Sequence, residues 1–133
     1  MDMTQALFWL TLTIYHEARG ESVKGQKAVA KVILNRAKKH NWPVSNVVLS
    51  RKQFSCYNDG LGDPSVWVRN VTAAARVLEN AEAGLREWYA GDSLMGATHY
   101  YAIKGMSTGR PPYWAAGMKF IVEIEGHRFL REL

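Results

Sequence analysis

Two apolar stretches separated by one glycine constrain this chain more than any other feature. In the first, "MDMTQALFWLTLTIY", Leu7, Leu10 and Ile14 recur at steps of three and four, which predicts a helix. Phe8, Trp9, Leu12 and Tyr15 fill much of the remaining circumference, so burial on most sides is expected, with Gly20 as the stop. The second stretch, Val23 to Lys39, groups Ala28, Val29, Ala30, Val32, Ile33 and Leu34 and keeps one polar stripe of Lys27, Lys31, Asn35 and Lys38. Two such helices in succession need a common core. At 133 residues and 47% hydrophobic content, the chain is large enough to build one without staples. The lone Cys56 cannot close an intrachain disulfide.

Further along, "NWPVSNVVLS" reads as a loop with about one helical turn, and "RKQFSCYNDGLGDP" is rich in turn formers. A long helix is predicted from "DPSVWV" onward through Val71, Ala74, Val77, Leu78, Ala81, Leu85 and Trp88, with Gly84 a weak point inside it. After "AGDS" the period changes. "ATHYYAI" and "KFIVEIE" are short, β-branched and aromatic, and read as two antiparallel strands joined by the Gly- and Pro-containing loop "KGMSTGRPPYW". The expected class is therefore α+β, mostly helical, with a small antiparallel sheet toward the C-terminal half. No repeat or linker divides residues 1–133, so a single domain is expected.

Lys and Arg outnumber Asp and Glu by 17 to 12, a formal charge of +5, which favours encounter with polyanions such as nucleic acid, anionic membrane or acidic wall polymer. A solubilising surface charge explains the same excess. The opening apolar run has no basic start, its first charge being Asp2 and the first basic residue Arg19, and it falls short of the roughly 20 residues that span a bilayer. Neither a secretory signal nor stable membrane insertion is expected.

The stretch "TIYHEARGES" holds the most suggestive chemistry. His16-Glu17 begins like the zinc-protease pattern H-E-x-x-H, but Gly20 stands where the second His is needed. His40, His99 and His127 show no ligand spacing, so neither a metal nor another cofactor is expected. Glu17 extends the stripe Leu7, Leu10, Ile14 at the end of the first helix. Desolvation and the negative helix terminus both favour its protonated form there. A carboxylic acid still protonated near neutral pH is what a glycosidic oxygen needs before it can leave. The competing reading is an ionised Glu17 paired with Arg19, Lys24 or Arg36. Glu21 shares the face of Glu17 only if the helix runs on through Gly20. If the chain turns there, Glu21 opens the next helix and meets its dipole.

Taken together, "YHEARGESVKGQKAVAKVILNRA" resembles the opening signature of the SleB/CwlJ-like cell-wall hydrolases, and "QFSCYND", "GATHYYA", "PPYWA" and "GHRFL" follow in that family's order. The resemblance implies a lysozyme-like catalytic domain acting on the glycan strands of peptidoglycan, with the family's catalytic glutamate at Glu17; a monomer is expected. It further implies lytic transglycosylation, in which one acid/base Glu suffices because the muramic C6 hydroxyl attacks C1. Ordinary glycoside hydrolysis uses two carboxyl groups, about 5–5.5 or 6.5–9.5 Å apart. A muramidase with Glu21 or Asp59 as second carboxylate therefore stays open.

The other family blocks supply the expected substrate-binding residues. Gln53 and Ser55 can hydrogen-bond sugar hydroxyls and acetamido groups, and Phe54, Tyr57, Tyr100, Tyr101 and Trp114 offer flat faces with polar edges. His99 and Glu21 complete the set, while His127 reads equally well as a structural hydrogen-bonder on the last strand. A chain made in the cytoplasm without a leader and acting on the wall fits a phage endolysin. The function class that competes with all of this is a basic helical nucleic-acid-binding module. Lys38-Lys39 and Arg51-Lys52 favour it, and the absence of any recognisable reader motif disfavours it.

Overall fold

The computed structural model describes residues 1–50, 70–105 and 110–133. Within them run helices α1 (Met3–Ala18), α2 (Val23–His40), α3 (Val44–Leu49) and α4 (Val71–Tyr89), then strands β1 (His99–Ala102), β2 (Lys119–Ile124) and β3 (His127–Arg131). The class is the α+β one expected, mostly helical with a small antiparallel sheet late in the chain.

α1 starts where the Asp2 carboxylate accepts a 3.1 Å hydrogen bond from the Gln5 backbone N–H. It buries Ala6, Leu10, Thr13, Ile14 and Ala18 against α2, α3 and α4. The expected burial on most sides is found from Ala6 to Ala18, where Phe8 alone is exposed, at 56%. Ser22 caps α2, its hydroxyl accepting from the Gly25 N–H at 3.1 Å. The helix ends at Asn41, whose φ of 55° is left-handed, while the Trp42 N–H closes on the Ala37 carbonyl at 2.9 Å.

α2 is the shared wall of the molecule. Val29, Ala30, Ile33 and Leu34 face the other helices, whereas Ala28 and Val32 face Ala97, Ile124 and Phe129 under the sheet. Its polar stripe is largely covered by the end of α4. Lys27 Nζ meets Glu87 at 2.6 Å, and Lys31, 5% exposed, meets Glu87 and Asp92, each at 2.8 Å. Burial alone pushes the Lys31 ammonium down, but its bonds to Asp92 and Glu87 more than reverse this and hold it above the usual lysine value. Asn35 donates to the Ser93 and Ala97 carbonyls at 2.8 and 2.7 Å and accepts from the Trp88 indole at 2.8 Å. Gly84, the expected weak point of α4, is a contact point instead. A Cβ there would sit 3.1 Å from Ala30 Cβ and 3.3 Å from the Lys27 backbone, so α2 and α4 approach closely enough here that a methyl group would be tight.

The sheet order is β1-β3-β2, both pairings antiparallel. This corrects the simplest sequence picture, in which β1 and β2 lie side by side. The two-residue turn Glu125-Gly126, with φ of 49° and 85°, folds β3 straight back onto β2, and β1 then pairs with the free edge of β3. A bulge at Ile121 accommodates the offset between Phe120 and Val122.

Candidate functional site

Glu17 lies on the last turn of α1, half-buried, one turn beyond the fully buried Thr13 and Ile14. The stripe therefore does lead to it. Beyond Ala18 the chain turns rather than continuing as helix, with the Glu21 N–H closing on the Ala18 carbonyl at 3.0 Å. Glu21 thus falls just outside α2, next to its Ser22 cap, and is not one helical turn from Glu17 on a common face.

The turn is pinned from inside. Gln26, with no exposed surface, donates through Nε2 to the carbonyls of Ala18 and Arg19 at 3.2 Å each and of Glu21 at 3.4 Å. Carbonyls at a helix end are short of partners, and the bond that Ala18 already receives from the Glu21 N–H is supplemented by Gln26. Its Oε1 accepts from Asn80 Nδ2 at 2.8 Å, which ties the turn to α4. On the other flank, the Tyr15 hydroxyl accepts from the Asn70 N–H at 2.9 Å. The Arg19 guanidinium sits 4.9 Å from the Tyr15 ring centre and donates to the Tyr15 carbonyl at 3.1 Å.

From the sheet side, His127 brings Nε2 to within 3.6 Å of Glu21 Oε1. Tyr100 stands beside His127 at 5.9 Å between ring centres and stacks on Phe129 at 5.5 Å. Sheet register explains this grouping: Tyr100 opposes Phe129 and Ala102 opposes His127, so all four residues point from one face toward α1 and α2. The remaining residues expected at the site lie on the other face. His99 and Trp114 have ring centres 5.4 Å apart, and Tyr101, nearly buried, packs with Ala115, Leu130 and Trp114. The structure therefore joins Glu21, His127 and Tyr100 near the end of α1, and sets His99, Tyr101 and Trp114 apart from them. Gln53, Phe54, Ser55, Tyr57 and Asp59 fall outside the described residues.

His99 has a distinct electrostatic setting. Burial, with the positive charges of Arg36, Lys39 and His40, lowers it to about 4. Glu132, 3.7 Å from Nδ1, pulls the other way and is outweighed. The ring is thus neutral at neutral pH, and the short approach to Glu132 is not a formed ion pair there. Sequence reading gave Gln26 and Asn80 no role. The one signal was a glutamine inside an otherwise apolar helical face, which burial obliges to find partners.

The signature of the family described as Cell Wall Hydrolase matches residues 20–130. The chain belongs to that family. Glu17 stands just upstream of the matched segment. A spore cortex-lytic enzyme of Halalkalibacterium halodurans is 35% identical over 104 residues, covering 74% of this chain and 28% of that protein. Another from Oceanobacillus iheyensis is 41% identical over 69 residues, covering 50% of this chain and 24% of that protein. This cell wall hydrolase thus corresponds to roughly a quarter of the length of those relatives. The catalytic domain of the germination-specific lytic transglycosylase SleB from Bacillus anthracis superposes with a TM-score of 0.67 at 25% identity, over 96% of this chain and 94% of that domain. The catalytic domain of Bacillus cereus SleB gives 0.62 at 25% identity, over 96% and 91%. The lysozyme-like fold expected from the resemblance is the fold observed.

Proposed function

We propose that this cell wall hydrolase cuts the β-1,4 bond between N-acetylmuramic acid and N-acetylglucosamine in peptidoglycan as a lytic transglycosylase, working as a monomer. The observation that carries this reading is the likeness to the SleB lytic transglycosylase domain over 96% of the chain. Glu17 is the acid/base. Its carboxylic proton passes to the glycosidic oxygen as the C1–O bond breaks. The C6 hydroxyl of the same muramic residue then bonds to C1, and its proton returns to the Glu17 carboxylate. The product is a 1,6-anhydro sugar and no water is consumed. The pinned turn after α1 supports the assignment, since a single group that both gives and takes a proton must keep one position.

A second reading, hydrolysis with Glu21 as the other carboxylate, is favoured by one observation. Glu21 is half-buried with His127 Nε2 3.6 Å from its carboxylate, and it is close in sequence to Glu17. Product chemistry separates the two. Purified peptidoglycan is digested and its muropeptides weighed: 1,6-anhydro ends mark transglycosylation, and new reducing ends mark hydrolysis. Absence of both, with a salt-sensitive gel shift of DNA or RNA, would replace the enzyme reading by the nucleic-acid-binding one. Glu17→Gln is expected to fold normally and lose most cleavage, and Glu21→Gln to lose less. The phage endolysin setting belongs to the proposal as well, and co-expression with a holin tests it, lysis being the expected outcome.

A further inference from the structure

At the far end of α1 from Glu17, two depressions adjoin. One, of about 620 Å³, opens between the start of α1 and the α2–α3 junction, with Trp42 and Trp88 as aromatic walls and Asp2 and Gln5 on its rim. The other, of about 780 Å³, runs on past Tyr89, Lys39 and Arg131. Trp88 and Lys38 line both and mark where they meet.

Core packing does not account for Trp42, which is 45% exposed. Its N–H is tied to the Ala37 carbonyl after the left-handed Asn41, and its ring stacks on His40 with centres 4.8 Å apart. Trp88 is held by its indole N–H on the buried Asn35. Both rings are therefore in place before a ligand arrives, which limits the rotamer entropy lost on binding. Fixed indole faces edged by amide and carboxylate groups suit the apolar face and polar rim of a pyranose. The charge here is net positive, with Lys38, Lys39 and Arg131 set against Asp2 and Glu132. Glu132 is engaged with Lys39 at 3.1 Å, and Lys38 is exposed and in no ion pair among the described residues.

We infer that this trough is a second, non-catalytic glycan site that takes strands of N-acetylated amino sugars bearing carboxylate substituents. The ligand class rests on the peptidoglycan reading, but the site is separate. α1 alone puts roughly 18 Å between Gln5 and Glu17. A strand held there keeps the enzyme on an insoluble polymer between cuts and raises the effective concentration of bonds at the catalytic end.

The test reads binding, not cleavage, so it does not depend on which residue catalyses. Depletion of the protein from solution by insoluble peptidoglycan sacculi is measured in a Glu17→Gln background. Trp42→Ala is expected to weaken retention roughly tenfold, the order of one lost aromatic contact. Lys38→Ala is expected to weaken it less and to flatten its salt dependence, while Lys119→Ala, which removes the same charge elsewhere, leaves it unchanged. N-acetylglucosamine tetramer should shift the indole N–H resonances of Trp42 and Trp88 in the parent. Unchanged retention by both Trp42→Ala and Lys38→Ala would overturn the inference. So would equal loss in Lys119→Ala, tetramer shifts confined to other residues, or displacement of the protein from sacculi by single-stranded oligonucleotide.

Discussion

Gln26 and Asn80, 54 positions apart in the chain, share a 2.8 Å hydrogen bond in the interior. Through it the turn that follows Glu17 is fastened to α4, because the same Gln26 amide also serves the carbonyls of Ala18, Arg19 and Glu21. A polar side chain with no exposed surface is costly unless partnered, and here both the oxygen and the nitrogen of the Gln26 amide are engaged.

Gln26→Leu should therefore lose about 2–4 kcal/mol of stability and Asn80→Ala about 1–2 kcal/mol. Because both act on one network, the double variant should fall short of the sum by more than about 0.5 kcal/mol. Urea unfolding of the four proteins measures this. Strict additivity would show that the two side chains do not work as a unit.

Gly84→Ala sets two effects against each other. Helix propensity favours alanine by up to about 1 kcal/mol. The new methyl, however, would lie 3.1 Å from Ala30 Cβ and 3.3 Å from the Lys27 backbone, inside ordinary carbon contact distance, and a backbone cannot swing aside. Sterics win, and a net loss of about 1–2 kcal/mol is expected in thermal or chemical unfolding. A stabilised variant would mean that α2 and α4 separate more easily than their contact implies.

Stability should depend on pH through His99. Its folded value of about 4 lies below the ordinary 6.5, so the unfolded chain takes up a proton as pH drops below about 6.5 while the folded one does not. The contribution is complete above pH 6.5, declines as pH falls toward 4, and changes no further below that. Its ceiling is about 3 kcal/mol. The difference in unfolding free energy between parent and His99→Gln, followed from pH 7.5 to 4, should trace that decline. Parallel curves would refute it.

Glu125 occupies a left-handed conformation, with φ of 49°, in the β2–β3 turn. Asparagine tolerates this region better than glutamate and is the residue preferred before glycine in such turns. Glu125→Asn should raise stability by about 0.5–1 kcal/mol, visible as a rise in melting temperature of roughly 2–5 °C. A lower melting temperature would point to a role for the Glu125 carboxylate that the turn geometry does not reveal.

Helical periodicity made α2 readable to within one residue, Val23–Lys39 expected and Val23–His40 found, because a helix packed on two sides repeats its apolar residues strictly. The same periodicity placed Glu17 at the end of a buried stripe. What surrounds that turn was not legible, since Asn80 and His127 reach it from α4 and β3 and nothing local marks them. Lys31 makes the same point. In sequence it belongs to an ordinary polar stripe, and only Glu87 and Asp92, brought over by the fold, turn it into a buried cation. "HYYA" was legible as a strand from its aromatic character, but which of its faces turned toward α1 and α2 depended on β3.

The strand order bears on how the protein is made. β1 and β2 pair with β3 alone among the described strands, and β3 comes after both in the chain. During synthesis the helices can assemble while two strand edges wait for their common neighbour, and the Ala28 and Val32 side of α2 meanwhile lacks its cover. Completion of the sheet thus follows release of β3 from the ribosome, and that interval is when the nascent chain is most open to aggregation or to a chaperone.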